Sequence, residues 1–310
     1  VLPQLPPSLA TAAGCESVAD WWPRHRAIAA EHSDPIHQAI VGGFVADRIG
    51  WAFASGYQAA LRALFPDAPA DRICALCVTE AEGNAPKAIR SSLRKLRGEW
   101  RLNGSKRWTT LGPEGALFFV AARDEAASAE RPAIRLVKVS SGSPGLKIES
   151  MPATKFVPEV PHARLQFENL KIGETEILPG DGYDQYVKPF RTVEDIHVQA
   201  AVLSYLMREG QRLSWPQHWL ERLSALLAAM GKLSDMPASH AETHIALAGA
   251  LAIGAGLIGE TEAFWEAAKA DPAAERWKRD RDLLKVAGSA REQRTRRAWE
   301  TLRQPAPAPG

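Results

Sequence analysis

Four groups of residues in this sequence have types and spacings that could do chemistry. Cys74 and Cys77 have the C-x-x-C spacing of a redox pair or of half a zinc site. They lie in an apolar run that reads as a strand, where residues three apart point to opposite faces, so core packing is expected. His240 and His244 lie four apart with Glu242 between them, but the pattern is not H-E-x-x-H and a polar first helical turn explains it. Gly254, Gly256 and Gly259 match the G-x-G-x-x-G dinucleotide fingerprint. That motif must follow a strand, whereas residues 248–253 continue a helix, so tight helix packing is the reading. Residues 275–303 hold ten basic residues against five acidic ones. They read as a solvated helix face supported by spaced ion pairs. Such a face could meet phosphates, yet few aromatics interleave it and no nucleic-acid partner is expected.

A fifth grouping is longer and more specific. It opens Thr79-Glu80-Ala81-Glu82-Gly83-Asn84 and closes Leu102-Asn103-Gly104-Ser105-Lys106-Arg107-Trp108-Thr109-Thr110-Leu111-Gly112, with a basic segment ending at Gly98 between the two. The pair resembles the flavin-cradling segment of acyl-CoA dehydrogenases: a Thr-Glu-Pro with a Gly-Ser turn, then Asn-Gly, a Lys and Trp-x-Thr-x-Gly. Ser143-Pro144-Gly145-Leu146, residues 165–172 and Leu178-Pro179-Gly180-Asp181-Gly182-Tyr183 resemble later landmarks of that family. The resemblance covers residues 73–303.

Flavin chemistry on an acyl thioester needs a polar group near N5, donors at the pyrimidine edge and an apolar wall. By resemblance, FAD would be held by Val78 and Thr79 at the pyrimidine edge, Trp108 along one face and Thr110 near N5. Asn84 stands where the family has a pyrophosphate-binding Ser. The reaction also needs a base for the α-proton, and a carboxylate desolvated beside an acyl chain suits that task. Counting forward from Arg279-Asp280 by the family's spacing lands on Gly288, so the usual Glu is missing. Some members carry the base near the start of the first helix after the β-domain, which makes Glu194 the candidate and Asp195 the second choice. The alternative is that both acids offset a helix N-terminus. The family's adenosine-gripping motifs are also missing: Arg212-Leu213-Ser214-Trp215-Pro216 stands where an Arg with Phe-Gly is usual.

The elements that must position these groups follow from pattern. Residues 17–66 are helical and rich in small residues, with apolar side chains on more than one face. Six short strands are expected at 73–78, 99–102, 116–121, 133–139, 146–149 and 163–167, forming a barrel or two sheets. Residues 124–130 read as a solvated loop. Helices are expected at 185–209, 217–232, 240–269 and 274–302, the third opened by a capping box of Ser239 with Glu242. The fold class is therefore α+β multidomain and acyl-CoA dehydrogenase-like. It comprises a shortened N-terminal helical domain (1–72), a central β-domain (73–175), a C-terminal helical bundle (176–304) and a disordered tail (305–310).

At 310 residues with 45% hydrophobic and 24% charged residues the chain can bury a sizeable core, and a net charge of +2 implies no polyanionic partner. Three cysteines are too few for a disulfide framework. No secretory pattern opens the sequence, and the apolar run 245–258 reads as a buried helix, so no membrane insertion and a cytoplasmic location are expected. The resemblance implies an oxidoreductase acting on CH–CH groups in fatty acid metabolism. It would be a homodimer that takes an acyl-CoA or related thioester and passes electrons to an electron-transfer flavoprotein. The alternative is a catalytically inactive relative that keeps the fold as a binding or assembly module.

Overall fold

The computed structural model describes residues 14–126, 133–286 and 288–303. The expected tail at 305–310 and the end of the loop expected at 124–130 lie outside these residues. Three helices come first. Ser17 opens α1 (Val18–Glu31) with a capping box to Asp20, and Asp34 caps α2 (Pro35–Phe44) with Pro at its first position. The third, α3 (Ile49–Leu64), is buried along most of its length.

Seven strands follow: β1 (Cys74–Cys77), β2 (Ser92–Leu96), β3 (Glu99–Thr110), β4 (Leu117–Asp124), β5 (Ile134–Ser140), β6 (Leu146–Ser150) and β7 (His162–Ile172). They join into one mixed sheet of order β1-β4-β2-β3-β7-β6, with β5 on the other edge of β4, in place of the expected barrel or pair of sheets. One apolar cluster, with Ala75, Leu93, Leu102, Phe118, Val137 and Leu165, draws from β1 to β5 and from β7. The opposite face of β1, β4 and β5 packs on α3 through Cys74, Phe119, Leu136, Ala60 and Leu61.

Two departures from the expected strands have local causes. β2 lies inside the basic segment, where Arg94 and Lys95, two of its five residues, hide the apolar signal. It pairs with β3 from Leu96↔Glu99 onward across a two-residue turn whose residues, Arg97 and Gly98, both have positive φ (50° and 86°). β3 runs on to Thr110, well past residue 102, because its second half pairs with β7.

The C-terminal helices are α4 (Lys188–Arg212), α5 (Gln217–Ser234), α6 (Ala241–Ala267), α7 (Pro272–Asp280) and α8 (Gly288–Arg303). A single π turn, Tyr183–Val187, leads into α4. The helix expected at 274–302 is broken: Asp280 is fully buried with its carboxylate accepting from the Val157 N–H at 2.8 Å, and a 3-10 turn (Arg281–Lys285) separates α7 from α8. The capping box expected of Ser239 does not form. His240 is the N-cap of α6 and makes no side-chain cap bond, while His244 Nε2 contacts the Ala238 carbonyl at 2.8 Å.

The apolar run in α6 is also less buried than expected. The helix is long and apolar enough to cross a membrane by length and composition. In the fold it packs along one stripe, Thr243, Leu247, Ala250, Gly254, Leu257, Thr261 and Trp265, and leaves its other sides outward, with Ile253 61% exposed. Of the three glycines in its fingerprint-like run, only Gly254 sits tightly, against Gln199; a Cβ at Gly256 or Gly259 would meet nothing.

Candidate functional site

The stretch after β1 and the end of β3 are tied into one unit. The Arg107 N–H donates to the Thr79 carbonyl at 2.8 Å. Beneath that link Lys106 is fully buried, its Nζ 2.6 Å from Glu80 Oε1 and 3.3 Å from the Val78 carbonyl. Glu80 also accepts from the backbone N–H groups of Arg90 (2.8 Å) and Ser91 (3.0 Å). Burial alone would push the Glu80 carboxyl up, but the Lys106 charge and these donors hold it below the usual range. A charge this deep is tolerated only when every oxygen is satisfied, which is the case here. Glu80 and Gly83 then exchange backbone hydrogen bonds at 2.9 and 3.2 Å, closing the turn that delivers Asn84.

Trp108 owes its position to a bulge. The pairing of β3 with β7 shifts between Lys106↔Leu165 and Thr109↔Ala163, so two residues of β3 oppose one of β7. Trp108 takes φ 57°, a conformation that a bulky residue adopts only where the surroundings impose it. Its indole is consequently 48% exposed, edge-on to His162 with ring centroids 5.9 Å apart. Thr109 points the other way, buried, with its hydroxyl 3.8 Å from Cys77 Sγ, so Trp108 and Thr110 share the open face.

Facing this strand wall is a stripe of α4 and its π turn. Val187, Phe190, Arg191 and Glu194 recur at helical spacing on one side. Tyr57 from α3 and Leu76 from β1 close the back of a cleft of about 170 Å³ whose walls also include Val78, Thr79, Asn84, Arg107, Trp108 and Thr110. Arg191 Nη2 bridges the mouth to Asn84 Oδ1 at 3.2 Å. Glu194 is half-buried and, among the described residues, makes no hydrogen bond or ion pair. Burial first, and then the neighbouring negative charge of Asp195, push its carboxyl up to about 7, only partly offset by Arg291 and Arg191.

The cleft therefore gathers Val78, Thr79, Asn84, Trp108 and Thr110 around the first-choice acid, Glu194. Asp195 is placed elsewhere: Arg291 (2.9 and 2.7 Å) and Arg294 (2.7 Å) from α8 clamp its carboxylate, and it does not line the cleft. The helix-terminus alternative fits neither acid, because α4 begins at Lys188 and both lie in its second turn. Gly288 starts α8 with open space around it, one turn before Arg291. Arg212 is engaged within the chain by Glu209 (2.5 Å) and Asp271 (2.6 Å). Cys74 and Cys77 are buried on opposite faces of β1, with burial pushing their thiols up to about 11 and about 12.

Sequence reasoning missed Tyr57, Leu76, Arg107, Val187, Phe190 and Arg191. Phe190 and Arg191 were legible as the residues that share a helix face with Glu194, at i−4 and i−3. Tyr57 had no local signal, since α3 carries it to the cleft more than a hundred residues before Glu194 in the sequence.

The exposed indole of Trp108 offers a stacking face for a flat aromatic ring, and Thr79, Asn84 and Thr110 offer polar edges. Arg212, which the resemblance relates to the adenosine half, already has two carboxylate partners.

Residues 75–170 match the family model of the acyl-CoA dehydrogenase middle domain. None of the curated proteins matches the chain by sequence. Solved structures share its fold at low identity. Butyryl-CoA dehydrogenase from Megasphaera elsdenii is similar at TM-score 0.65 and 14% identity, over 88% of this chain and 84% of that one. FkbI, from biosynthesis of the methoxymalonyl extender unit of a polyketide immunosuppressant, is similar at TM-score 0.65 and 17% identity, over 97% and 94%. The FAD complex of PigA is similar at TM-score 0.56 and 15% identity, over 90% and 84%.

Proposed function

We propose that this chain, a divergent member of the acyl-CoA dehydrogenase family through its middle domain and its fold, is a flavoprotein that removes the α-proton and β-hydride of an acyl-CoA or related thioester. The observation that carries this reading is the cleft itself, where a stacking tryptophan and two threonines stand opposite a desolvated carboxylate. Trp108 would stack on the flavin of FAD, with Thr79, the backbone of Val78 and Thr110 around its polar edge and Asn84 toward its phosphate side. When bound, the flavin supplies a two-electron acceptor for the hydride leaving the β-carbon.

The chain's own contribution is to place and activate the base. Glu194 projects from the second turn of α4, flanked by Phe190 one turn back and roofed by Tyr57. Its partial burial and the nearby Asp195 charge raise its proton affinity toward neutral pH, where a general base works best. Asp195 adds negative charge nearby, and Arg291 and Arg294 keep that charge fixed on their own side. The cleft walls of Leu76, Val187 and Phe190 are apolar, suited to an acyl chain.

Purified protein should show flavin absorbance after incubation with FAD, and an acyl-CoA should bleach it. Glu194→Gln should slow that bleaching by at least 100-fold, in line with loss of a general base. A colourless protein, or a Glu194→Gln variant as fast as wild type, contradicts the reading. In this reading the bleached flavin is reoxidised by an electron-transferring flavoprotein, and a second copy of the chain covers the outward side of α6; sedimentation of wild type against Ile253→Lys tests the latter.

A second reading has its own observation. Arg212 is held within the chain, and Gly288 offers no carboxylate. A relative that binds a thioester without oxidising it would show thioester binding with no bleaching.

A further inference from the structure

Tyr57 has an unusual hydrogen-bonding state for a buried tyrosine. Its side chain is 3% exposed, packed edge-on against Phe190 with ring centroids 5.9 Å apart, and it lines the cleft. Its oxygen accepts from the Leu76 N–H at 3.0 Å. A phenol has one proton to give, and no acceptor among the described residues receives it. A buried donor left without an acceptor is costly, so the position is unfavourable unless a ligand supplies one.

Three features bear on this hydroxyl as a donor to a bound ligand. The Leu76 bond fixes the oxygen and polarises the O–H, since hydrogen bonds in a chain strengthen one another. The ring lies against Phe190, one turn before Glu194 on the same face of α4, so donor and carboxylate face one small volume. Burial, and then the negative charge of Glu194, push the phenol's ionisation well above its usual range, which keeps the proton in place. The charged groups around Glu194 are Asp195 and Arg191 on α4 and Arg291 on α8. Arg107 on β3 lines the cleft as well.

We propose that Tyr57 donates its O–H to the carbonyl oxygen of the bound thioester while Glu194 removes the α-proton. This rests on the reading of the cleft as a thioester site. In the step, the Cα–H bond breaks and its proton passes to a Glu194 carboxylate oxygen. The bonding pair forms a Cα=C double bond, and the carbonyl π pair moves onto oxygen as an enolate. Nothing is oxidised or reduced in this step. The Tyr57 O–H meets the charge where it develops, which makes Tyr57 a catalytic residue under this assignment.

The test uses acetoacetyl-CoA, a β-keto thioester whose enolate absorbs in the near ultraviolet, bound to the full chain as purified. The readout is the ratio of enolate to keto form at saturation, with total affinity measured separately by calorimetry. Wild type should raise the enolate ratio over free solution. Tyr57→Phe should lower it about 10- to 100-fold while total binding of the keto form changes less than about threefold. Incorporation of 3-fluorotyrosine at position 57, which keeps the ring and both hydrogen bonds and makes a stronger donor, should raise the ratio; it also serves if Tyr57→Phe fails to fold. An unchanged ratio in Tyr57→Phe or in the fluorinated protein overturns the assignment and leaves the thioester reading standing. A wild-type chain that binds no acetoacetyl-CoA overturns both.

Discussion

The strand wall of the cleft and the C-terminal helices treat their charged residues in opposite ways. In the strand wall one ion pair, Lys106 with Glu80, is buried beneath the surface, and the residues above it, Thr79, Asn84, Trp108 and Thr110, are presented to the cleft. In the helices the basic residues are spent within the chain: Arg212 on Glu209 and Asp271, Arg279 on Asp280 and Glu159, Arg291 and Arg294 on Asp195. One region presents its polar and aromatic groups to a cleft, while the other engages its arginines in ion pairs within the chain. On the proposed reading, the cleft would hold a flavin ring while these arginines would leave the far half of a dinucleotide without a grip.

The sharpest way to break the contrast is to remove the support of the strand wall. Glu80→Ala leaves Lys106 buried without its counter-ion, and should cost about 3–5 kcal/mol in denaturant unfolding. Glu80 is held below its unfolded value, so its contribution is present above about pH 4.3 and is lost as pH falls through the folded value. If Glu80→Ala unfolds like wild type, the ion pair does not organise the cradle.

Next in size is the seat of Tyr57 against α4. A Cβ on Gly56 would lie 2.7 Å from Val198 Cα and 2.9 Å from the His197 carbonyl. Gly56→Ala gains helix propensity yet should lose about 1–3 kcal/mol net, because α3 must move off α4. A variant as stable as wild type would mean that the two helices are not in this close contact.

Glu194 supplies a pH-dependent effect. Its folded-state value, about 7, lies above the unfolded value, so the folded state binds the extra proton and stability falls as pH rises from about 4.3 through 7. Glu194→Gln should therefore gain on the order of 2 kcal/mol at pH 8 and nothing at pH 4, even as it loses activity. Equal stabilities at pH 8 would show the carboxyl to be well solvated.

The smallest effect belongs to the helices. Gly288→Glu places a carboxylate in open space at the N-terminus of α8 and should change stability by less than about 0.5 kcal/mol. A large loss would mean that the start of α8 is packed.

Much of the strand wall was legible because its signals are local. Thr79 to Asn84 and Trp108 to Thr110 each sit within a few residues of a turn, a bulge or a strand end, and the pairing of β3 with β7 brings them to one face. The course of β2 was hidden because Arg94 and Lys95 mask its alternation, although Arg97-Gly98 is a hairpin turn in residue type. The break after Asp280 depends on a hydrogen bond to Val157, 123 residues away, and no local pattern encodes it. The position of Tyr57 likewise comes from packing of α3 on α4. Glu194 and Asp195 are adjacent in sequence and alike in chemistry, and only the arrival of Arg291 and Arg294 separates the acid facing the cleft from the one clamped in place.

The central contrast is tested most directly by titrating the protein with FMN and with FAD and reading the flavin spectrum and tryptophan fluorescence. The expected result is that both bind, that FAD gains less than tenfold over FMN, and that Trp108→Ala weakens the two equally. No binding of either flavin, or FAD binding more than a thousandfold tighter than FMN, would contradict it.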